Sequence, residues 1–347
     1  MTLSPSRLTA ALAVCLVTVT VHPVRAQDAP PSYEGYREGR FLRYLNAHEG
    51  PIAAVPRIGL SFGDRTLNAV IDSGSTGIVV AARYIPGFDS LPSIGEGRLT
   101  YSSSGRVMLG RWVVTPLALV GRDGARVETE PMPVLAVTRV ECWANARDCT
   151  PHDEPSGIAM VGIGFARQGD HQSQSTPDKN PLLRIAGSSA ERRRGYILSP
   201  QGVHIGLTPA NTQGDFRYIK LSRAADRPDW APLPACISIN GQTPPACGTM
   251  LMDTGVSAMF ITLPQSQAQG QAGSLAPGTD VSIGVGGPEA GFHLYRFTVD
   301  DGSLLAPSTT HLRVADDRTF VNTSFHLLNG FDMLYDADGG YVGFRRR

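Results

Sequence analysis

The sequence predicts a mainly β protein built from two related halves. Three observations carry that expectation. Of 347 residues, 38 are Gly and 26 Pro, so turns recur at short intervals. Long amphipathic helical periodicity is scarce, which favours strands. An apolar run ending in Asp-(Ser/Thr)-Gly occurs twice, in Ala69–Thr76 and again in Thr249–Ser257. The two aspartates stand 253 − 72 = 181 residues apart, about half the chain, and no shorter tandem repeat intervenes. Each run reads as a buried strand and its Gly as the turn that follows. Each half therefore places one carboxylate, Asp72 or Asp253, on a tight loop at the end of a core strand.

With 41% hydrophobic and 18% charged residues, the chain is able to bury a sizeable core, and its length suits two domains or one large one. Formal net charge is +0, with no basic patch to suggest nucleic acid and no acidic tail to suggest a cationic partner. Residues 1–26 read as a secretory signal. Arg7 is the positive start, Leu8–Val21 the apolar stretch and Val24-Arg25-Ala26 the cleavage site, leaving Gln27 first. The apolar run is short for a membrane anchor, and Val14 is bulky for a lipoprotein site at Cys15. The mature chain is expected to be exported, periplasmic or extracellular, without a membrane attachment, and monomeric. Its expected division is 27–194, carrying Asp72, and 195–347, carrying Asp253.

Setting Cys15 aside leaves Cys142, Cys149, Cys236 and Cys247, which allow three connectivities in an exported protein. Proximity favours Cys142–Cys149 across a small loop. It also favours Cys236–Cys247 across a hairpin turning at Asn240-Gly241. No C-x-x-C and no paired His point to a metal, and no cofactor is expected.

In chain order, residues 27–50 read as an extended polar lead-in. Arg57–Phe62, a turn at Gly63-Asp64, and Thr66–Ile71 form a hairpin that the first Asp motif closes. Residues 84–98 read as a loop. Arg98–Gly110 reads as a mobile hairpin with a Ser/Gly tip, followed by strands at Val113–Val120 and Met132–Val137. Gly157–Phe165 is apolar and punctuated by Gly. Leu182–Ala190 and Gln265–Ala272 suit short helices. Gly195–Leu207, Phe216–Leu221, Val281–Val285, Gly291–Thr298 and His311–Val314 suit strands. The chain closes with Phe320–Phe344, turning at Asp338-Gly339-Gly340.

Two carboxylates held a few ångströms apart do not both ionise easily, so one keeps a proton while the other loses it. One then acts as base on a water molecule and the other as acid on a carbonyl oxygen. Gly74 and Gly255 let backbone approach the carboxylates. Ser73 and Thr254 are placed to tie the loops together, and Ser75 to donate to Asp72.

These motifs resemble the D-T-G-S-S and D-T-G-T-S motifs of the pepsin family of aspartic proteases, at a similar separation. Tyr101-Ser102-Ser103-Ser104-Gly105 resembles that family's flap, Ile158–Gly164 its crossing element behind the first Asp, and Trp230–Gly255 its hairpin into the second. Gly195–Leu221 and Leu334–Phe344 resemble further strands, so the likeness runs from about Pro56 to the end. It implies a pepsin-like bilobal double β-barrel with an active-site cleft between two lobes. It also implies hydrolysis of extended polypeptides by an Asp72/Asp253 dyad under a substrate-binding flap of Tyr101, Ser102 and Ser103.

Four departures stand out. Val256 replaces a hydroxyl residue, so Asp253 is expected to lose a donor, to carry the shared proton, and to extend activity to less acidic pH than pepsin's. Val79 replaces a Trp that supports the flap Tyr. Ser324, in Asn322-Thr323-Ser324, stands where Gly is expected. No long basic pro-segment lies between Gln27 and Pro56, as in bacterial members. Asn322-Thr323-Ser324 is formally a glycosylation sequon in an apolar, buried-looking segment. Arg345-Arg346-Arg347 reads as a solvated end.

The alternative within the same fold is a protein that binds without turnover. A sugar-kinase or actin-like ATPase also carries two D-x-G-(S/T) loops, but export argues against it. Gly74 and Gly255 occupy the place of a haloacid-dehalogenase's second Asp, and no G-x-S-x-G suggests a serine hydrolase.

Overall fold

The computed structural model describes residues 30–347 apart from 102, 103, 147, 148, 171, 173, 188, 189 and 288–290. The expected signal and the flap residues Ser102 and Ser103 thus lie outside the described residues. The protein is mainly β, with no long helix among the described residues, and Pro31–Arg347 forms one compact unit.

The strands form sheets of six, ten and eight strands. The ten-stranded sheet is drawn from residues 57–163 and the eight-stranded sheet from residues 233–322. The six-stranded sheet joins strands distant in sequence, from Arg40–Arg43 through Arg193–Leu207 to Tyr341–Arg346.

One local arrangement occurs in both larger sheets. Arg65–Asp72 runs into the first Asp loop and Thr76–Ala81 leaves it; Ala159–Ile163 inserts between them, parallel to the first and antiparallel to the second. Ala246–Leu251 and Met259–Leu263 flank the second loop, and Phe320–Asn322 inserts in the same way. Insertion between two strands buries the centre of each inserted strand. Val161, Ile163 and Val321 are fully buried.

Both disulfides favoured by proximity are present, Cys142–Cys149 and Cys236–Cys247. Cys236 and Cys247 are register partners across their hairpin, and Asn240 and Gly241 take φ of 49° and 71° at its turn, the positive values such a turn requires.

The structure adds to the expected elements in several places. The lead-in contributes the edge strand Arg40–Arg43, paired with Gly202–Leu207, because Leu42 and Tyr44 are buried. The expected loop at 84–98 becomes strand from Ser93 onward. The two expected helices shrink to 3-10 turns at Pro181–Leu183 and Gln265–Gln267. Gly187, Gln269 and Gly270 carry positive φ there, which no right-handed helix accommodates. The terminal arginines are a solvated end only in part: Arg346 and Arg347 are exposed, Arg345 is half-buried. Arg345 and Arg347 pair with Asp332, which is only 7% exposed in its side chain.

Candidate active site

Each Asp loop is a short turn stitched to the other by its hydroxyl. The Ser73 N–H donates to Thr254 Oγ1 at 2.9 Å, and the Thr254 N–H donates to Ser73 Oγ at 3.0 Å. Each hydroxyl passes its proton onward, Ser73 to the Met252 carbonyl (2.8 Å) and Thr254 to the Ile71 carbonyl (2.7 Å). Both side chains are buried, and these four bonds satisfy both hydroxyls and both backbone N–H groups at the crossing. The Gly164 N–H holds the first loop from behind through the Ser75 carbonyl, and buried Asn180 caps the strand end through the carbonyls of Ile163 and Gly164.

The stitching brings the carboxylates together. The Gly74 N–H donates to Asp72 Oδ1 and the Gly255 N–H to Asp253 Oδ1, both at 2.8 Å. Each glycine is also packed on the opposite carboxylate. A Cβ at Gly74 would meet Asp253, and one at Gly255 would meet Asp72. The outer oxygens have different partners. Ser75 donates its hydroxyl to Asp72 Oδ2 at 2.5 Å, whereas Asp253 Oδ2 accepts from Asn322 Nδ2 at 2.6 Å.

Asn322 is the residue that sequence reasoning missed. Val256 brings no hydroxyl, but Asp253 does not go without an outer donor, because the amide of Asn322 provides it. Burial, and then the negative charge of Asp72, push the Asp253 carboxyl up to about 7, against the pull of Asn322 and of the Gly255 N–H. The upward drive is therefore burial and like charge rather than a missing donor.

Tyr101 sits near both carboxylates. Burial, then Asp72 and Asp253, raise its phenol well above the ordinary value. Its hydroxyl lies 2.9 Å from the Met160 sulfur. Val79 lies at the bottom of the same cluster with Leu99, Met108, Trp112 and Leu135. The hairpin Ser93–Tyr101 and Arg106–Thr115 gains a third strand, Met132–Cys142. The turn is anchored on the Cys142–Cys149 loop, where the Trp143 N–H donates to the Gly105 carbonyl at 2.8 Å. No cluster of three or more metal-ligating side chains occurs among the described residues.

The raised carboxyl has a consequence for stability that needs no substrate. The folded value of Asp253, about 7, exceeds the ordinary 3.8, so the folded state holds the proton more tightly than the unfolded one. The resulting stabilisation is complete below about pH 4 and is lost as pH rises through 7. Asp253→Asn cannot ionise. Its melting temperature is expected to improve relative to the parent between pH 4 and 7. Parallel melting curves across that range would contradict it.

Compared with known proteins, the chain matches no family model and no curated protein.

Proposed function

We propose that the chain is an aspartic endopeptidase of pepsin-like bilobal architecture, exported from the cell and acting as a monomer on extended polypeptides. The observation that carries the reading is the pair of interlocked Asp-(Ser/Thr)-Gly loops, each glycine packed on the opposite carboxyl, while one carboxyl is pushed toward neutrality. A water between them loses a proton to Asp72 as its oxygen attacks the peptide carbonyl carbon. Asp253 gives its proton to the carbonyl oxygen, forming a neutral tetrahedral diol. Collapse of the diol returns a hydroxyl proton to Asp253, the proton on Asp72 passes to the departing nitrogen, and the C–N bond breaks. The dyad is restored with no covalent intermediate.

Supporting features lie around the pair. Tyr101, between the carboxylates and the hairpin turn, suits a lid over a bound peptide. Phe260 is the register partner of Asn322, so the two share a sheet face. It is 41% exposed and stacks on His311 at 5.3 Å, an apolar wall for a side chain near the cut. Two disulfides suit an oxidising compartment, and no helix among the described residues is long and apolar enough to cross a membrane.

The test is cleavage of fluorescently labelled unfolded casein from pH 3 to 7, with and without a pepstatin-type transition-state mimic. Cleavage at acid to near-neutral pH, blocked stoichiometrically by the mimic, is expected. Cleavage indifferent to the mimic would overturn the dyad. Binding of the mimic without any cleavage would leave a pepsin-fold binding protein.

A further inference from the structure

The ladder registers relate the two halves residue by residue. Met160 lies opposite Val70, two residues before Asp72, and opposite Val79, seven after it. Asn322 lies opposite Leu251, two before Asp253, and opposite Phe260, seven after it. Asn322 is thus the counterpart of Met160, as Val256 is the counterpart of Ser75. The two exchanges are complementary. The first half carries its outer donor on the loop, at Ser75, and an apolar Met on the inserted strand. The second half carries an apolar Val on the loop and its outer donor on the inserted strand, at Asn322.

The amide is held in one orientation. The Ser324 N–H donates to Asn322 Oδ1 at 3.1 Å, which leaves Nδ2 to face Asp253, since an N–H requires an acceptor. Ser324 itself takes φ 62° and ψ −177° and is fully buried. That region is normally left to Gly, and its occupation by Ser costs about 1–3 kcal/mol. The turn that aims Asn322 is kept at that cost.

A hydroxyl and an amide are different donors. A hydroxyl rotates and accepts as readily as it donates, so it serves a carboxyl oxygen with or without a proton. The NH2 of Asn only donates, so it favours the ionised carboxylate. We propose that Asn322 is a positioning residue of the dyad: it replaces the hydroxyl absent at 256 as the outer donor to Asp253 Oδ2 and favours the ionised carboxylate. The inference rests on the peptidase reading for its catalytic meaning, but not for its geometry. The other titratable groups that act on Asp253 are Asp72, Tyr101 and Tyr335, and all stay in place in the variants below.

The experiment compares the full chain with Asn322→Met, Val256→Ser and the double variant, which rebuilds the Ser/Met pair of the first half. The readouts are the 13C carboxyl titration of Asp253, assigned by its disappearance in Asp253→Asn, and the pH profile of kcat/KM on labelled casein. Asn322→Met is expected to raise the upper ionisation of the dyad by about one pH unit, the usual scale for a lost donor to the charged form. The double variant is expected to return it close to the parent value. Val256→Ser alone is expected to move it little, because Asp253 Oδ2 already has a donor. An unshifted titration in a folded Asn322→Met protein would overturn the proposal. So would a shift that the double variant fails to reverse. If Asn322→Met does not fold, Val256→Ser decides: a drop of a full pH unit would mean that the oxygen had lacked a donor. If the parent cleaves nothing, the peptidase reading fails while the carboxyl titration still tests Asn322.

Discussion

In the proposed mechanism, replacing either aspartate by asparagine is expected to lower kcat/KM on unfolded protein by at least about 10³-fold, since each would remove an acid–base function worth roughly 10²–10⁴-fold together with the shared proton. The two variants are not expected to be equally well tolerated by the fold. Asp72 accepts from the Gly74 N–H and from the Ser75 hydroxyl. An amide at position 72 keeps its oxygen on Gly74 and turns its NH2 to Ser75, whose hydroxyl rotates to accept. Asp253 accepts from the Gly255 N–H and from the Asn322 amide, neither of which accepts in its present orientation. An amide at 253 sets one donor against another, or turns Asn322 over and strips the Ser324 N–H of its acceptor. A buried donor left unsatisfied costs about 1–3 kcal/mol. At pH 4, Asp253→Asn is therefore expected to melt below Asp72→Asn while both are inactive. Casein cleavage and thermal melting at the same pH check the two halves of the result. Cleavage that survives both substitutions would remove the dyad from the mechanism.

The asymmetry shows which parts of the site were legible in the sequence. Features carried by neighbours along the chain were readable. An apolar run, an Asp and a Gly specify a strand and a turn wherever they occur, and Cys236 faces Cys247 because a hairpin fixes its own register. The pairing of Arg345 with Asp332 was readable in principle, since the Asp338-Gly339-Gly340 turn sets Asp332 opposite Arg345. Counting across that turn would have placed Arg345 on Asp332. Asn322 was of another kind. It lies 69 residues from Asp253, and its place depends on a parallel insertion that no turn dictates. Its sequon drew notice for the wrong reason. The available signal was the joint departure of Val256 and Asn322 from Ser75 and Met160, visible only once the halves are superimposed by register. The two expected helices failed for a simpler reason: local propensity gave way to positive-φ residues in each stretch.

Gly74→Ala is expected to be nearly as damaging as loss of an aspartate, although it changes no acid or base. The reason is space rather than backbone freedom, because Gly74 is not among the positive-φ glycines. A Cβ there would lie 2.3 Å from Asp253 Cγ and 2.4 Å from both its oxygens, roughly 1 Å short of ordinary contact. The struck group cannot swing aside, since the Gly255 N–H and the Asn322 amide hold its two oxygens. The loops must separate instead, which strains the reciprocal bonds between Ser73 and Thr254. Overpacking of this kind costs about 1–3 kcal/mol. A misplacement of about 1 Å costs on the order of 10²-fold in rate. Separation also weakens the repulsion that helps hold the Asp253 proton. The Gly74→Ala protein is therefore expected to lose activity about 10²-fold or more, and to lose less stability than the parent as pH rises from 4 to 7. Gly35→Ala is the control, because nothing lies within 4 Å of a Cβ there. Full activity in Gly74→Ala would show that the carboxylates do not need the close approach on which the proposed mechanism depends.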